Sequence, residues 1–123
     1  MSLKTFTIIG SGNVATHIGK ALQRGGYIIN GVFSHTLANA EQLAAALHCL
    51  ATDSIGDVPE ADAFLFSVKD SALPSLASEI VKRFGKTPTY IHTAGCIPVS
   101  IFGNGATRQA VIYPLQTLSK QRE

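Results

Sequence analysis

The chain has 123 residues, 46% of them hydrophobic and 15% charged, and a formal net charge of +2. This is enough for one domain with one core, too apolar for a disordered segment, and too weakly basic for a nucleic-acid binder, with no Lys/Arg cluster or interleaved aromatic stripe. The longest apolar runs, around Phe64–Val68, fall far short of the roughly 20 residues of a membrane span, and Cys49 and Cys96 form neither metal spacing nor a disulfide framework, so a reduced cytoplasmic protein is the simplest reading.

In chain order, an apolar run predicts strand β1 over about Lys4–Ile9. One lysine before it faintly resembles a signal peptide, but the glycine turn and polar helix that follow make a strand the better reading. Helix α1 is predicted over Asn13–Arg24, with Val14, Ile18, Ala21 and Leu22 on one face. His17 falls with the polar residues, and Gly25-Gly26 ends the helix by left-handed capping. Strand β2 follows at Ile28–Phe33, and helix α2 at Leu37–Leu47 with Ala40, Leu43, Ala44 and Leu47 inward. His48 closes that helix, where a cation suits the dipole. A short β3 at Cys49–Ala51 leads to a turn or one helical turn between Asp53 and Pro59. Strand β4, Ala63–Val68, is almost continuously apolar, as a strand buried on both faces should be.

Helix α3 is predicted over about Ala72–Phe84, with Pro74 in its first turn and either Asp70 or Ser71 as its cap. Strand β5 at Thr89–His92, a short helix at Pro98–Phe102 and strand β6 at Ala110–Tyr113 complete the pattern. Strands alternating with helices indicate an α/β fold. Right-handed crossovers and a nucleotide-binding first βαβ unit give a Rossmann-type, doubly wound, mainly parallel sheet in the order 3-2-1-4-5-6. No internal repeat interrupts it, and residues 1–123 form one domain.

The turn between β1 and α1 carries the chemistry. In Gly10-Ser11-Gly12-Asn13-Val14-Ala15, Gly10 permits the tight turn, Gly12 lets a pyrophosphate approach the backbone, and Ala15 allows close helix–strand packing. The helix start offers free N–H groups and a positive dipole end. Ligands of such sheets sit beyond the carboxyl ends of the strands. The candidates there are Gly10–Val14, Ser34–Thr36, Ser67–Asp70, Thr93–Gly95 and Tyr113–Gln116.

The end of β2 bears on the cofactor. An NAD site places an acidic residue about 20 residues past the glycine turn. Here that position is Ser34, and 33–39 contains no Asp or Glu. Ser34, His35 and Thr36 offer hydroxyls and a titratable imidazole instead, which favours NADP over NAD. The scattered histidines pair with no cysteine or carboxylate at ligand spacing, so no metal site is expected.

Four stretches together resemble a bacterial family of two-domain proteins: Gly10–Ala15, Ser67-Val-Lys-Asp-Ser-Ala-Leu-Pro74, His92-Thr-Ala-Gly95 and Tyr113-Pro-Leu-Gln-Thr-Leu-Ser119. That family joins an N-terminal Rossmann-like NADP-binding domain to a C-terminal helical domain of unknown function. The Rossmann half is similar to those of pyrroline-5-carboxylate reductase and the deazaflavin-dependent NADP oxidoreductases. The resemblance implies that this chain is the N-terminal part of a longer protein, whose absent helical domain supplies dimer contacts and closes the substrate cleft. It also implies hydride transfer between NADP(H) and a C=N or C=O group of a small molecule. The family's last motif more often begins with His, where this chain has Tyr113, a weaker acid at neutral pH.

The expected cofactor contacts are therefore Gly10, Ser11, Gly12, Asn13, Val14, Ala15, Ser34, His35, Thr36, Ser67, Val68, Lys69, Thr93 and Ala94. Lys69 is either a phosphate or ribose contact or a surface lysine. His92 and Tyr113 are the candidates for an acid–base group, and His92 has a structural role as its alternative. Two functions stay open: an NADP-dependent oxidoreductase domain, or a non-catalytic NADP-binding regulatory or scaffold module. A methyltransferase using the glycine turn for S-adenosylmethionine fits less well.

Overall fold

A computed structural model describes residues 4–69, 71–93 and 108–111. Six parallel strands form one sheet in the order β3-β2-β1-β4-β5-β6, as expected. The strands are β1 Thr5–Ile9, β2 Ile28–Phe33, β3 Leu50–Thr52, β4 Ala63–Phe66, β5 Thr89–His92 and β6 Arg108–Val111. The helices are α1 Asn13–Arg24, α2 Leu37–Leu47 and α3 Leu73–Phe84. No helix among the described residues is long and apolar enough to cross a membrane.

The strand period of two divides the core into two layers. Phe6, Ile8, Ala63 and Leu65 face α1 and α2, with Ala15, Ile18, Leu43 and Leu47 packed on them. Ile9, Phe64, Phe66 and Tyr90 face the other way, against Leu73, Leu76, Ile80 and Val81 of α3. Helix α2 buries the four residues its periodicity predicts. Helix α1 is rotated from expectation: Ala15, Ile18 and Gly19 are buried, while Val14 and Leu22 pack at the margin. The cause is steric. A Cβ on Gly19 would lie 2.8 Å from Leu47 Cδ1 and 3.1 Å from Ile8 Cδ1, so the closest approach of α1 to both sheet and α2 is made through a residue without a side chain.

Several boundaries differ from the sequence expectation. Strand β3 starts at Leu50, because the Cys49 N–H bonds the Ala44 carbonyl and so belongs to the end of α2. His48 supplies the left-handed residue there, at φ 57°. After α1 the positive φ falls at Gly26 (93°), while Gly25 has an ordinary φ of −80°. Strand β4 stops at Phe66, since beyond the Ser67 N–H bond to Ile9 O the neighbouring strand β1 has turned away. Strand β6 starts two residues earlier than expected, with Arg108 opposite Thr89. Helix α3 begins at Leu73 after Ala72, and no side chain caps it; Ser71 is not its cap. Asp70 and the helix expected at Pro98–Phe102 lie outside the described residues.

Among the described residues no helix covers the α3 face beneath β2. The connection from β3 to β4 crosses it with one 3₁₀ turn, Ile55–Asp57, and an extended strap through Pro59. Gly31 makes room for that strap, since a Cβ there would lie 2.6 Å from Pro59 Cγ. Thr7 Oγ1 donates to Pro59 O at 2.9 Å, and the Asn30 amide donates to Glu60 O at 2.7 Å. Asn30 is the extra residue where the β1–β2 register shifts. From α3, the Arg83 guanidinium donates to the carbonyls of Ile55 and Val58 at 2.9 and 2.5 Å. The strap is thus held by polar bonds to its backbone as well as by Val58, which is buried in the core on this face.

Its far end is fastened at Asp62. The carboxylate accepts the N–H groups of Lys4 (2.9 Å) and Thr5 (3.1 Å), and the Asp62 N–H donates to Thr5 Oγ1. The Lys4 and Thr5 backbone bonds hold this carboxyl below its ordinary value of 3.8. The native state therefore binds the proton less tightly than the unfolded chain, and the stabilisation is present above about pH 4 and lost as pH falls through the depressed value. Thermal unfolding between about pH 6 and pH 2 should show a steeper loss for the wild type than for Asp62→Asn, with the two curves converging at the acid end. Parallel curves would show that the Asp62 bonds add nothing.

Candidate functional site

The site begins where β1 turns. Gly10 has φ 129°, a conformation that side chains rarely adopt, and its N–H donates to Phe33 O on β2 at 2.7 Å. On its other side a Cβ would meet Ser67 O at 2.0 Å. The turn is therefore wedged between the ends of β2 and β4, with no room for a side chain. Gly12 is different. Its φ of −80° and ψ of −168° suit any residue, and a Cβ built there meets nothing within 4 Å. The fold needs glycine at position 10, and nothing within the fold needs it at position 12.

Gly12 is also the N-cap of α1. No side chain caps that end, and the first turn contains no acidic residue. The Thr16 N–H makes the first helical bond, to Gly12 O at 3.0 Å. By helix geometry the N–H groups of Asn13, Val14 and Ala15 have no intrahelical acceptor. This end of α1 is exposed at Gly12 and Asn13, so the arrangement offers donors and a positive dipole end to an outside anion.

A cleft of about 480 Å³ opens above the turn, within the usual range for small-ligand sites. Gly10, Ser11 and Gly12 form one part of its lining, Ser34, His35 and Thr36 another, and Ser67, Val68 and Lys69 a third. Nine of the expected cofactor contacts thus converge on one cleft. Asn13 lines an adjoining recess of about 320 Å³ that shares Ser11, Gly12 and Asn39 with it. Val14 is half-buried, and Ala15 is fully buried in the core as the small residue at the helix–sheet contact. The Thr93 N–H and hydroxyl both approach Phe66 O, at 3.2 and 3.4 Å, and Thr93 is not among the residues lining the cleft. Ala94, Gly95, Tyr113 and Gln116 lie outside the described residues.

Hydroxyls tie the turn to the end of β2. Ser11 Oγ donates to Ser34 Oγ at 3.2 Å, and the Thr36 N–H reaches the same oxygen at 3.3 Å. Ser34 Oγ accepts twice and keeps its own proton to donate. The Ser34 N–H bonds Thr52 O at 3.1 Å, which anchors the loop to β3. His35 is exposed, its ring edge-on to Phe33 with centroids 5.4 Å apart. Among the described residues no Asp or Glu lines the cleft, while Lys69 and His35 both do. Lys69 is exposed, and its carbonyl accepts the N–H groups of Ala72 and Leu73, which start α3.

His92 is fully buried, in register between Phe66 of β4 and Val111 of β6, and it does not line the cleft. Phe33, Asn39 and Ala72 do line it and were missed in the sequence. Asn39 was the most findable: it stands in the first turn of the helix that follows the β2 loop, so it is carried to the same end of the sheet.

The Rossmann-like domain family model matches residues 2–116. Among solved structures, a candidate NADP oxidoreductase from Bacteroides fragilis is 34% identical, with a TM-score of 0.78 over 84% of this chain and 40% of its own. Prephenate dehydrogenase from A. aeolicus, determined with hydroxyphenyl propionate and NAD+, is 17% identical with a TM-score of 0.73 over 86% of this chain and 41% of its own. The 3-hydroxyisobutyrate dehydrogenase of Mycobacterium tuberculosis is 15% identical with a TM-score of 0.71, over 89% and 40%. The last two likenesses show the fold alone. The chain spans about 40% of the length of these structures. No curated protein sequence matches it.

The two glycines should separate by mutation. Gly10→Ala should cost about 2 kcal/mol or more of stability, through positive φ and the clash with Ser67. Gly12→Val should cost no more than the about 1 kcal/mol of a poorer helix N-cap, yet weaken binding of a dinucleotide about tenfold or more. Thermal melts and calorimetric titrations of both variants check this; a Gly12→Val loss as large as that of Gly10→Ala would show that the fold does require that glycine.

Proposed function

This chain belongs to the Rossmann-like domain family, and we propose that it is the NADP(H)-binding domain of an oxidoreductase that transfers hydride to or from a small C=N or C=O substrate. The observation that carries the reading is the exposed Gly12 N-cap, glycine without any packing reason, at the mouth of a cleft whose wall has hydroxyls and an imidazole where an NAD site would have a carboxylate. The Bacteroides fragilis protein, the most similar in sequence of the three compared, bears NADP in its description.

In this reading the N–H groups of the first turn of α1 hold the pyrophosphate. Gly12 lets it approach the backbone. Ser34, His35 and Thr36 meet the 2′-phosphate, and Lys69 faces a phosphate or ribose oxygen from the β4 side. Ser67 and Val68 support the nicotinamide half. The cofactor, when bound, supplies or accepts the hydride, and this chain's part is to bind and orient it. The substrate cleft is completed by a further helical domain, which also makes the dimer contacts, and the protein works in the cytoplasm. His92, buried between strands, serves the architecture in this reading more than proton transfer.

Isothermal titration of the folded chain should give micromolar affinity for NADPH and weaker binding of NADH. Binding of neither, with circular dichroism confirming a folded α/β protein, sinks the proposal. Tighter binding of NADH would overturn the NADP assignment alone.

A further inference from the structure

We propose that His35 makes the choice between the two dinucleotides depend on pH: the protonated imidazole selects the 2′-phosphate, and the neutral ring does not. The inference rests on the NADP(H) reading above and adds its regulation. It is carried by where the charges around the cleft stand.

Strand β1 lies between β2 and β4, all parallel, so the ends of β2 and β4 are two strand spacings apart, about 10 Å. The adenosine ribose of a Rossmann-bound dinucleotide is read at the end of β2. On that side the cleft is lined by Phe33, Ser34, His35 and Thr36, of which only His35 can carry a charge. The one other cation among the described lining residues, Lys69, follows β4 on the opposite side. On that side it meets a part of the molecule that the two cofactors share. Among the described residues no carboxylate lines the cleft to compete for the imidazole. The nearest along the chain on the neighbouring elements, Asp53 after β3 and Glu41 on α2, are exposed and outside the lining. The His35 ring is positioned against Phe33 yet open to solvent, so it is both placed and free to exchange its proton with water.

The sign of the effect identifies its source. An imidazole ordinarily titrates at about pH 6.5, and an adjacent phosphate favours its protonated form. The 2′-phosphate loses its second proton at about pH 6. Its own titration makes it a better ligand for fixed donors as pH rises. A preference for NADPH that weakens as pH rises therefore has its origin in the protein, at the one titratable side chain that the described residues place on the 2′-phosphate side.

The test titrates NADPH and NADH into the wild-type chain, His35→Arg and His35→Ala between about pH 6 and pH 8.5, with circular dichroism to confirm folding of these exposed-site variants. In the wild type, the ratio of the NADH to the NADPH dissociation constant should fall about tenfold across that range. In His35→Arg it should stay high throughout. In His35→Ala it should be low and rise only with the phosphate's own ionisation. A wild-type ratio that does not fall, or one that falls equally in His35→Ala, overturns the proton gate and leaves the NADP(H) reading standing. Failure of the wild type to bind either cofactor overturns both.

Discussion

The structure depends on how closely the chain passes itself at Gly10. At that point β1 ends, and its backbone is bonded to Phe33 on one side and pressed against the Ser67 carbonyl on the other. A protein interior is packed too densely to absorb a methyl group at 2.0 Å from a backbone oxygen. Three strand ends are therefore locked at one level, and the loops that leave them splay apart around a shared floor. The cleft follows from this. It is the space between loops forced to diverge from a common origin, and its wall carries whatever side chains those three loops bring.

Polar and apolar fastening divide the molecule unevenly. On the face of α1 and α2, small residues let elements approach and large ones fill the gaps: Ala15 and Gly19 meet Ile8 and Leu47. Among the described residues the opposite face carries α3 and the strap of 55–62. Arg83, Thr7, Asn30 and Asp62 fix that strap through hydrogen bonds to backbone, or from it. Arg83 also lies over the Phe84 ring at 4.5 Å, so the same side chain packs on its own helix while it reaches across. Tyr90 closes the arrangement, its hydroxyl bonded to Gly85 O at 2.6 Å and its ionisation pushed up to about 12 by burial.

Much of this was legible in the chain because it rests on periodicity and on glycine. The bounds of α1 and α2, the two-sided burial of β4 and the strand order all follow from local patterns that the packing reinforces. The glycine turn and the β2 end were found as a group because the topology carries them to one end of the sheet. What escaped was non-local. Nothing near Gly31 in the sequence announces that Pro59 will cross it, and Arg83 reads as a surface cation until its two carbonyl partners are known. The burial of His92 has the same origin: its surroundings come from strands far away in the chain. The rotation of α1 toward Gly19 escaped as well, because a hydrophobicity pattern gives no weight to a residue with no side chain.

The central position of β1 has a consequence for how the protein is made. Its two neighbours are unequal in distance along the chain. Strand β2 follows after one helix, whereas β4 comes so late that Thr5 meets Asp62 across 57 positions. Closing a loop of that length must precede any gain from the contact, so topologies of this kind assemble slowly. During synthesis β1 leaves the ribosome long before β4, its second neighbour in the sheet. Until β4 emerges, the β4-side edge of β1, with Phe6, Ile8 and Ile9 along it, is an open strand edge available to other nascent chains.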